Sequence, residues 1–449
     1  MTPTRRAAPA SRLRRRARRG LDTVRAAADA RWGRPRDSHR PVYLVAPAGH
    51  PNHGDEQLLA GWLRYLRHRV PGTPVVVDCH TPGQAAVLHH AEHPDVLFTD
   101  TLWRLAGECT DGDEALAFCR SAVADPGVRP ALASGIDLLR SASVIHLIGG
   151  GYINDQWPHH LGVVAGAGEA GRLSGARVVA TGQGLTPCGD TALLVDALRG
   201  VDWVSVRDEA SRDLLAGSNV PLALTGDDGW LALSSGGGVG ADGRPVRGDH
   251  PVYSSAPDVA RDLVLCAQSD LVDSDVLADA VARILAAWRV PGERITVVES
   301  IPGGDRVVWD EVCARAETDD DEVGRALADL HLTRARFVPF QELWAAGLPA
   351  RPGQSWLTTR FHPHLFAAAR GASGVAIRTG SAYYDVKHGS LTAAGSPWEL
   401  VDAYEIADSF GAAAVPPVPS AGGFEPATVA DLIAAARDLA DELYPERRR

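Results

Sequence analysis

The chain has 449 residues, 45% of them hydrophobic, which is enough for two ordinary domains with large cores and excludes wholesale disorder. Its 56 acidic and 45 basic residues leave a formal charge of −11, which argues against a nucleic-acid-binding protein as a whole. Six scattered cysteines (Cys79, Cys109, Cys119, Cys188, Cys266 and Cys313) form no CxxC pair, so zinc and a disulfide framework lose support and a reducing, cytoplasmic setting is expected.

Residues 1–40 hold thirteen arginines against Asp22, Asp29 and Asp37, a net charge of +10, so residues 41–449 carry −21. The Arg12–Arg19 run can dock on nucleic acid or on anionic lipid, the latter giving peripheral contact with the inner face of a membrane; the simpler reading is a solvated, disordered tail. No apolar stretch follows it, so it is not a signal peptide, and no apolar run approaches membrane-spanning length. Residues 41–46 then read as a buried strand. Leu58, Leu59, Trp62, Leu63 and Leu66 predict a helix over 56–69. Strands follow at 75–77, 96–98, 144–148, 178–181, 203–206 and 222–224, with helical stretches between most of them. That alternation predicts a parallel sheet within an N-terminal Rossmann-like domain over 41–233. A Gly-rich linker occupies 234–250. A second alternating set, strands at 262–266, 295–298, 336–338, 356–358 and 375–377 with helices at 274–288, 322–330 and 363–370, predicts a C-terminal Rossmann-like domain over 251–411. A linker at 412–424 and a helix over 425–449 end the chain. The expected fold is α/β, with two Rossmann-like domains of parallel strands facing a central cleft in the GT-B-like manner.

In open parallel sheets, ligands bind beyond the carboxyl ends of the strands, and the unusual residues cluster there. After the first strand comes Pro51-Asn52-His53-Gly54-Asp55-Glu56, where Gly54 permits close backbone approach and Asn52 and Asp55 offer hydrogen bonds at a helix start; capping by Asp55 is the plainer explanation. After 144–148 comes Gly149-Gly150-Gly151, which lets backbone N–H groups approach an anion or a sugar, or simply makes a turn. It is neither GxGxxG nor a P-loop. Gly182-Gln183-Gly184 and Arg207-Asp208 leave two further strands. Asp227-Asp228 invites a metal reading but is more simply a cap or turn, and His159-His160 looks like a surface pair. Thr359-Arg360-Phe361-His362 joins a strand to a helix. An arginine beside a helix N-terminus is an anion site, and a histidine there can move protons at neutral pH.

Of 45 basic residues only Lys387 is lysine, in Tyr384-Asp385-Val386-Lys387. Arginine and lysine are not interchangeable, so a lone lysine is itself a candidate for a specific contact. The ordered set Asn52-x-Gly54-Asp55, Gly149-Gly150-Gly151, Gly182-Gln183-Gly184, Arg207-Asp208 with Ser211, Arg360-Phe361-His362 and Tyr384-Asp385-x-Lys387 resembles that of the polysaccharide pyruvyl transferase family, over about 43–394. Arg-Phe-His stands where Arg-Leu-His is common, and Ser373-Gly374-Val375-Ala376 lacks the family's usual proline.

The resemblance implies transfer of the enolpyruvyl group of phosphoenolpyruvate to two hydroxyls of a sugar or glycan as a cyclic ketal, with release of phosphate and no cofactor or metal. It implies His362 as general acid, Asp55 as acceptor of the hydroxyl proton, and Arg360 and Arg207 as a clamp on phosphate and carboxylate across the cleft. Lys387 would assist the phosphate. Asn52, Gly54, Gly149, Gly150, Gly151 and Gln183 would hold substrate. A nucleotide-sugar glycosyltransferase of the same architecture and a non-catalytic sugar-binding relative are the rival expectations, and no nucleic acid is expected as partner.

Overall fold

The computed structural model describes residues 40–234, 263–268, 273–380, 382–408 and 415–445. The basic segment before residue 40 and the Gly-rich stretch from 235 onward lie outside the described residues, as do positions 412–414 of the second expected linker. Two compact units divide them. One contains the described residues of 40–50, 58–234 and 431–445; the other contains those of 51–57 and 263–430.

The first unit is built on β1 (Val42–Val45), β2 (Val75–Asp78), β3 (Val96–Thr99), β4 (Val144–Leu147), β5 (Arg177–Gln183), β6 (Trp203–Val206) and β7 (Leu222–Leu224). Their order is β3-β2-β1-β4-β5-β6-β7 and every pairing is parallel. β1 reads Val-Tyr-Leu-Val with all four residues buried, the continuous apolar run a strand needs when helices cover both faces. Val42 pairs with Val75 on one side and Val144 on the other, so the chain reverses its direction of winding between β1 and β4. That is the switch point at which such sheets open a crevice. The helix Pro426–Leu443 returns its far end to this unit, where Leu439, Leu443 and Tyr444 join Leu58, Trp62 and Leu63 in one core.

The second unit carries β8 (Leu263–Cys266), β9 (Ile295–Val298), β10 (Arg336–Val338), β11 (Ser355–Thr358), β12 (Ser373–Arg378) and β13 (Glu399–Asp402) in the order β10-β9-β8-β11-β12-β13, again all parallel. Its switch point lies between β8 and β11. The expected helix over 56–69 begins earlier, at His53, and that over 363–370 begins at Phe361. Pro363 falls in the first turn of the latter, where its missing N–H costs nothing. Several elements of this unit have no counterpart in the sequence reading, among them the helices Phe340–Ala346, Ala382–Ala394 and Ala403–Asp408. β13 is a half-exposed edge strand without alternation, and the helix Gly304–Thr318 follows a Pro-Gly-Gly turn that resembles a loop.

Candidate active site

The joint after β11 sits at the switch point of the second sheet and is held from the strand outward. Thr358 donates its hydroxyl to the Cys266 carbonyl at 2.6 Å and accepts the Arg360 N–H at 3.0 Å. The Thr359 hydroxyl accepts the Gln268 N–H at 2.8 Å. The Thr359 carbonyl meets the His388 ring at 3.0 Å; His388 hydrogen-bonds His364 at 3.0 Å, and His364 reaches Ser396 at 2.8 Å. His364 also stacks on Trp398 with 4.5 Å between centroids. Burial, followed by its histidine neighbour, drives the pKa of His364 well below the ordinary value, so this ring is a neutral strut.

Arg360 is the N-cap residue of the helix Phe361–Ala369, and its side chain turns to Asp305. Its Nε lies 2.9 and 3.1 Å from the two carboxylate oxygens, and a second guanidinium nitrogen also bonds Oδ1. Asp305 further accepts the N–H groups of Ser300 at 2.6 Å and Ile301 at 3.2 Å. Burial pushes the Asp305 carboxyl up, and the Arg360 guanidinium opposes that shift. This fork-to-carboxylate pairing fixes the plane of the guanidinium.

The His362 ring stacks on Phe366 at 5.8 Å and meets Phe361 edge-on at 5.2 Å. Against it lies the start of the helix His53–Arg69. A Cβ on Gly54 would sit 2.0 Å from His362 Nδ1 and 2.5 Å from Cγ, so only glycine admits the ring at this approach. The neighbouring His53 is fully buried, edge-on to Trp344 and Phe366 at 6.5 Å each, and its backbone N–H donates to the Ser300 carbonyl at 2.9 Å. Burial and then His362 lower its pKa to about 3. Asn52 donates to Asp55 Oδ2 at 2.8 Å and accepts the Gly54 N–H at 3.3 Å, so these two side chains order the helix start together. Lys387, on the helix Ala382–Ala394, holds its ammonium 3.4 Å from the centroid of Tyr383.

In the first unit the glycine exits enclose a carboxylate. Asp228 Oδ2 accepts the Gly149 N–H at 2.7 Å, the Thr181 hydroxyl at 2.6 Å and the Trp62 indole N–H at 2.7 Å. Gly182, at φ 53°, lets the same carboxylate approach the backbone: a Cβ there would stand 2.8 Å from Asp228 Oδ1. Burial raises the Asp228 pKa to about 6, against the pull of its three donors. Thr181 also meets His146 at 2.9 Å, and the other nitrogen of that ring meets the Tyr444 hydroxyl at 2.9 Å, so the end of the C-terminal helix braces this network. Gly150 and Gln183 form a parallel bridge between the two exits, and Gly151 accepts from Asn154 at 2.9 Å. The Gln183 amide donates to the carbonyls of Ile148 and Thr181, both at 2.9 Å. Arg207 pairs with Asp227 at 3.3 Å and Asp208 at 3.8 Å, and Asp208 caps the next helix by accepting the Ser211 N–H at 2.7 Å.

The residues expected from sequence thus form two groups. Asn52, Gly54, Asp55, Arg360, His362 and Lys387 belong to the second unit, and Gly149, Gly150, Gly151, Gln183 and Arg207 to the first. A family model for polysaccharide pyruvyl transferase matches residues 52–381, which spans both groups. The chain belongs to the polysaccharide pyruvyl transferase family. It is therefore a transferase, and as a family member it acts in polysaccharide pyruvylation. A comparison by sequence with curated proteins finds no match. Among solved structures, the UDP-GlcNAc 2-epimerase of Neisseria meningitidis bound to UDP-GlcNAc is 11% identical with a TM-score of 0.50, over 90% of this chain and 99% of that one. The S. aureus MnaA–UDP structure (10%, 0.47, 90% and 89%) and a glycosyltransferase from Rickettsia africae (12%, 0.43, 91% and 95%) are also similar. The first likeness concerns fold alone, and it agrees with the GT-B-like pair of parallel α/β sheets in this pyruvyl transferase family member.

Of the carboxylates that pair with the two arginines, Asp208 and Asp227 belong to motifs visible in the sequence, whereas Asp305 belongs to none of them. Asp305 follows β9 through Ile301-Pro302-Gly303-Gly304, the same strand-exit signal that drew attention elsewhere. Among the described residues no group of three His, Cys, Asp or Glu could hold a metal ion, and no helix is long and apolar enough to cross a membrane.

Proposed function

We propose that the protein transfers the enolpyruvyl group of phosphoenolpyruvate to two hydroxyls of a sugar or glycan, forming a cyclic ketal and releasing phosphate. The observation that carries this reading is the β11 joint. One buried helix start presents Arg360 as its cap and His362 in its first turn, and Gly54 leaves room for that histidine. His362 delivers a proton to carbon 3 of the donor, and positive charge develops at carbon 2. An acceptor hydroxyl bonds to carbon 2, the second hydroxyl completes the ketal, and the bond from carbon 2 to the phosphate oxygen breaks. Of the two hydroxyl protons, one balances that given to carbon 3 and one leaves with phosphate; Asp55 takes the first from the acceptor. Arg360, oriented by Asp305, and Arg207, oriented by Asp227, bind the phosphate and carboxylate. Lys387 adds charge on the phosphate side. Asn52 orders Asp55, while the Gly149–Gly151 and Gln183 exits shape the acceptor side.

The test is turnover in deuterated water. Wild-type enzyme places solvent deuterium in the ketal methyl group. His362→Gln binds donor nearly normally and loses on the order of 10²–10⁴ in turnover. Wild-type turnover in His362→Gln removes this histidine from the mechanism. Absence of phosphate release from phosphoenolpyruvate with any glycan, alongside cleavage of a nucleotide sugar, would instead make the protein a glycosyltransferase.

A further inference from the structure

The switch point of the first sheet carries a cluster of rings that the reaction above leaves unused. His50 follows β1, His80 follows β2, and Tyr152, Trp157, His159 and His160 follow β4, so three strand ends converge. His80 lies 3.9 Å from the Trp103 centroid, 6.2 Å from His50 and 6.0 Å from His160. Trp157 stacks on His160 at 6.0 Å with 17° between planes, and His159 meets the same ring at 4.5 Å. The inner members are spoken for: Trp103 donates to the Asp78 carbonyl at 3.0 Å, and His160 is bonded to the Tyr152 carbonyl at 2.8 Å. The outer members are half-buried (His80, Trp157, His159) or exposed (His50), so the cluster has a closed base and an open face.

We infer that this face is a binding surface for a neutral pyranoside ring, seated on the tryptophan and imidazole faces with its hydroxyls on the outer imidazole nitrogens. Pyranosides have an apolar C–H face and a polar edge, which suits aromatic planes rimmed by groups that both donate and accept. The ring cluster contains no arginine or lysine. Burial lowers the pKa of His80 to about 4 and of His160 to about 3, and lowers that of His159, so these three rings favour the uncharged form and do not attract an anion. A metal is disfavoured by the absence of a ligand group among the described residues. The nearby cavity of about 340 Å³ is a poorer candidate, because its carboxylates are committed: Asp155 accepts the Gly189 N–H, and Asp111 and Asp190 cap helices. In the reaction proposed above this surface would hold the acceptor, and that role, though not the binding itself, rests on the proposed reaction.

The test is saturation-transfer NMR on the full chain with the methyl pyranosides of glucose, galactose, mannose and N-acetylglucosamine as probes. At least one receives saturation from wild type, most strongly at ring C–H protons. Trp157→Ala and His80→Ala weaken it by roughly tenfold, the scale of losing a central aromatic contact. His50→Ala, at an exposed position that leaves the core intact, weakens it less but measurably. Donor binding by calorimetry is unchanged in all three. No saturation of any probe, or wild-type binding in all folded variants, overturns the inference. Pyranoside binding without phosphate release from phosphoenolpyruvate leaves this surface standing and removes the proposed reaction.

Discussion

Gly54→Ala isolates the placement of His362 from its chemistry. One methyl group at position 54 would lie 2.0 Å from His362 Nδ1, 2.5 Å from Cγ and 2.7 Å from Cβ. Carbon and nitrogen atoms need about 3.4–4.0 Å, so the whole ring, not only its tip, must retreat by on the order of 1 Å or more. Phe366 stacks behind the ring at 5.8 Å, which makes the retreat costly; overpacking of this kind is worth about 1–3 kcal/mol. Part of that is offset, because alanine is favoured over glycine within a helix by about 1 kcal/mol. The expected loss of stability is therefore small, about 0–2 kcal/mol. The loss of turnover is expected to be about 10²-fold, since a 1 Å misplacement of a reacting group has that effect. Phosphate release at saturating donor and acceptor reads the second quantity, and a urea melt the first. A folded Gly54→Ala enzyme with wild-type turnover would refute the reasoning, because a displaced His362 would then be irrelevant to the reaction.

Arg360→Ala and Arg207→Ala should each weaken phosphoenolpyruvate binding by roughly 2–5 kcal/mol in calorimetry; unchanged affinity in both removes the clamp. Arg360→Ala should also destabilise the second unit by about 3–5 kcal/mol in a melt, since Asp305 is left buried without its partner. Acid should unfold the protein early. His53, His146 and His160 have folded pKa values near 3 against 6.5 when free, so the unfolded chain alone takes up their protons and stability falls as pH drops from 6.5 toward 3. Asp228, raised to about 6, and Asp78, raised to about 7, act in the opposite sense as pH falls toward 3.8. With more histidines than carboxyls, a net loss on the order of a few kcal/mol between pH 7 and 5 is expected; a urea midpoint that rises on acidification contradicts it. Deleting residues 1–39, which carry twelve of the chain's arginines, should leave turnover in solution intact and abolish association with anionic liposomes at low salt. Loss of turnover in the folded, truncated protein would place that segment in the active site.

Parallel α/β architecture was legible in the sequence because buried strands such as Val-Tyr-Leu-Val and Leu-Val-Leu-Cys are continuous apolar runs, and amphipathic helices separate them. The strand-end motifs were legible for a related reason: polar and glycine residues directly after such runs stand out against them. What lay beyond local pattern was decided by tertiary structure. Asp305, the partner of Arg360, and Asp227, the nearer of the two partners of Arg207 in space, are 55 and 20 residues away along the chain, and no periodicity joins them. Gly149 after β4 and Thr181 near the end of β5 hold Asp228, which is 79 and 47 residues from them, an arrangement that exists only when three strand ends meet. His159 and His160 read as surface residues along the chain, yet His160 is buried and the sheet order brings it beside His80 and Trp103. Likewise, segment 51–57 and the end of the C-terminal helix join units other than those of their neighbours in sequence. Local sequence determines which segments are strands and helices, because hydrogen bonding and side-chain period are local. The neighbours of a buried charge are set by the crossing of strands distant in sequence, so only the folded chain specifies them.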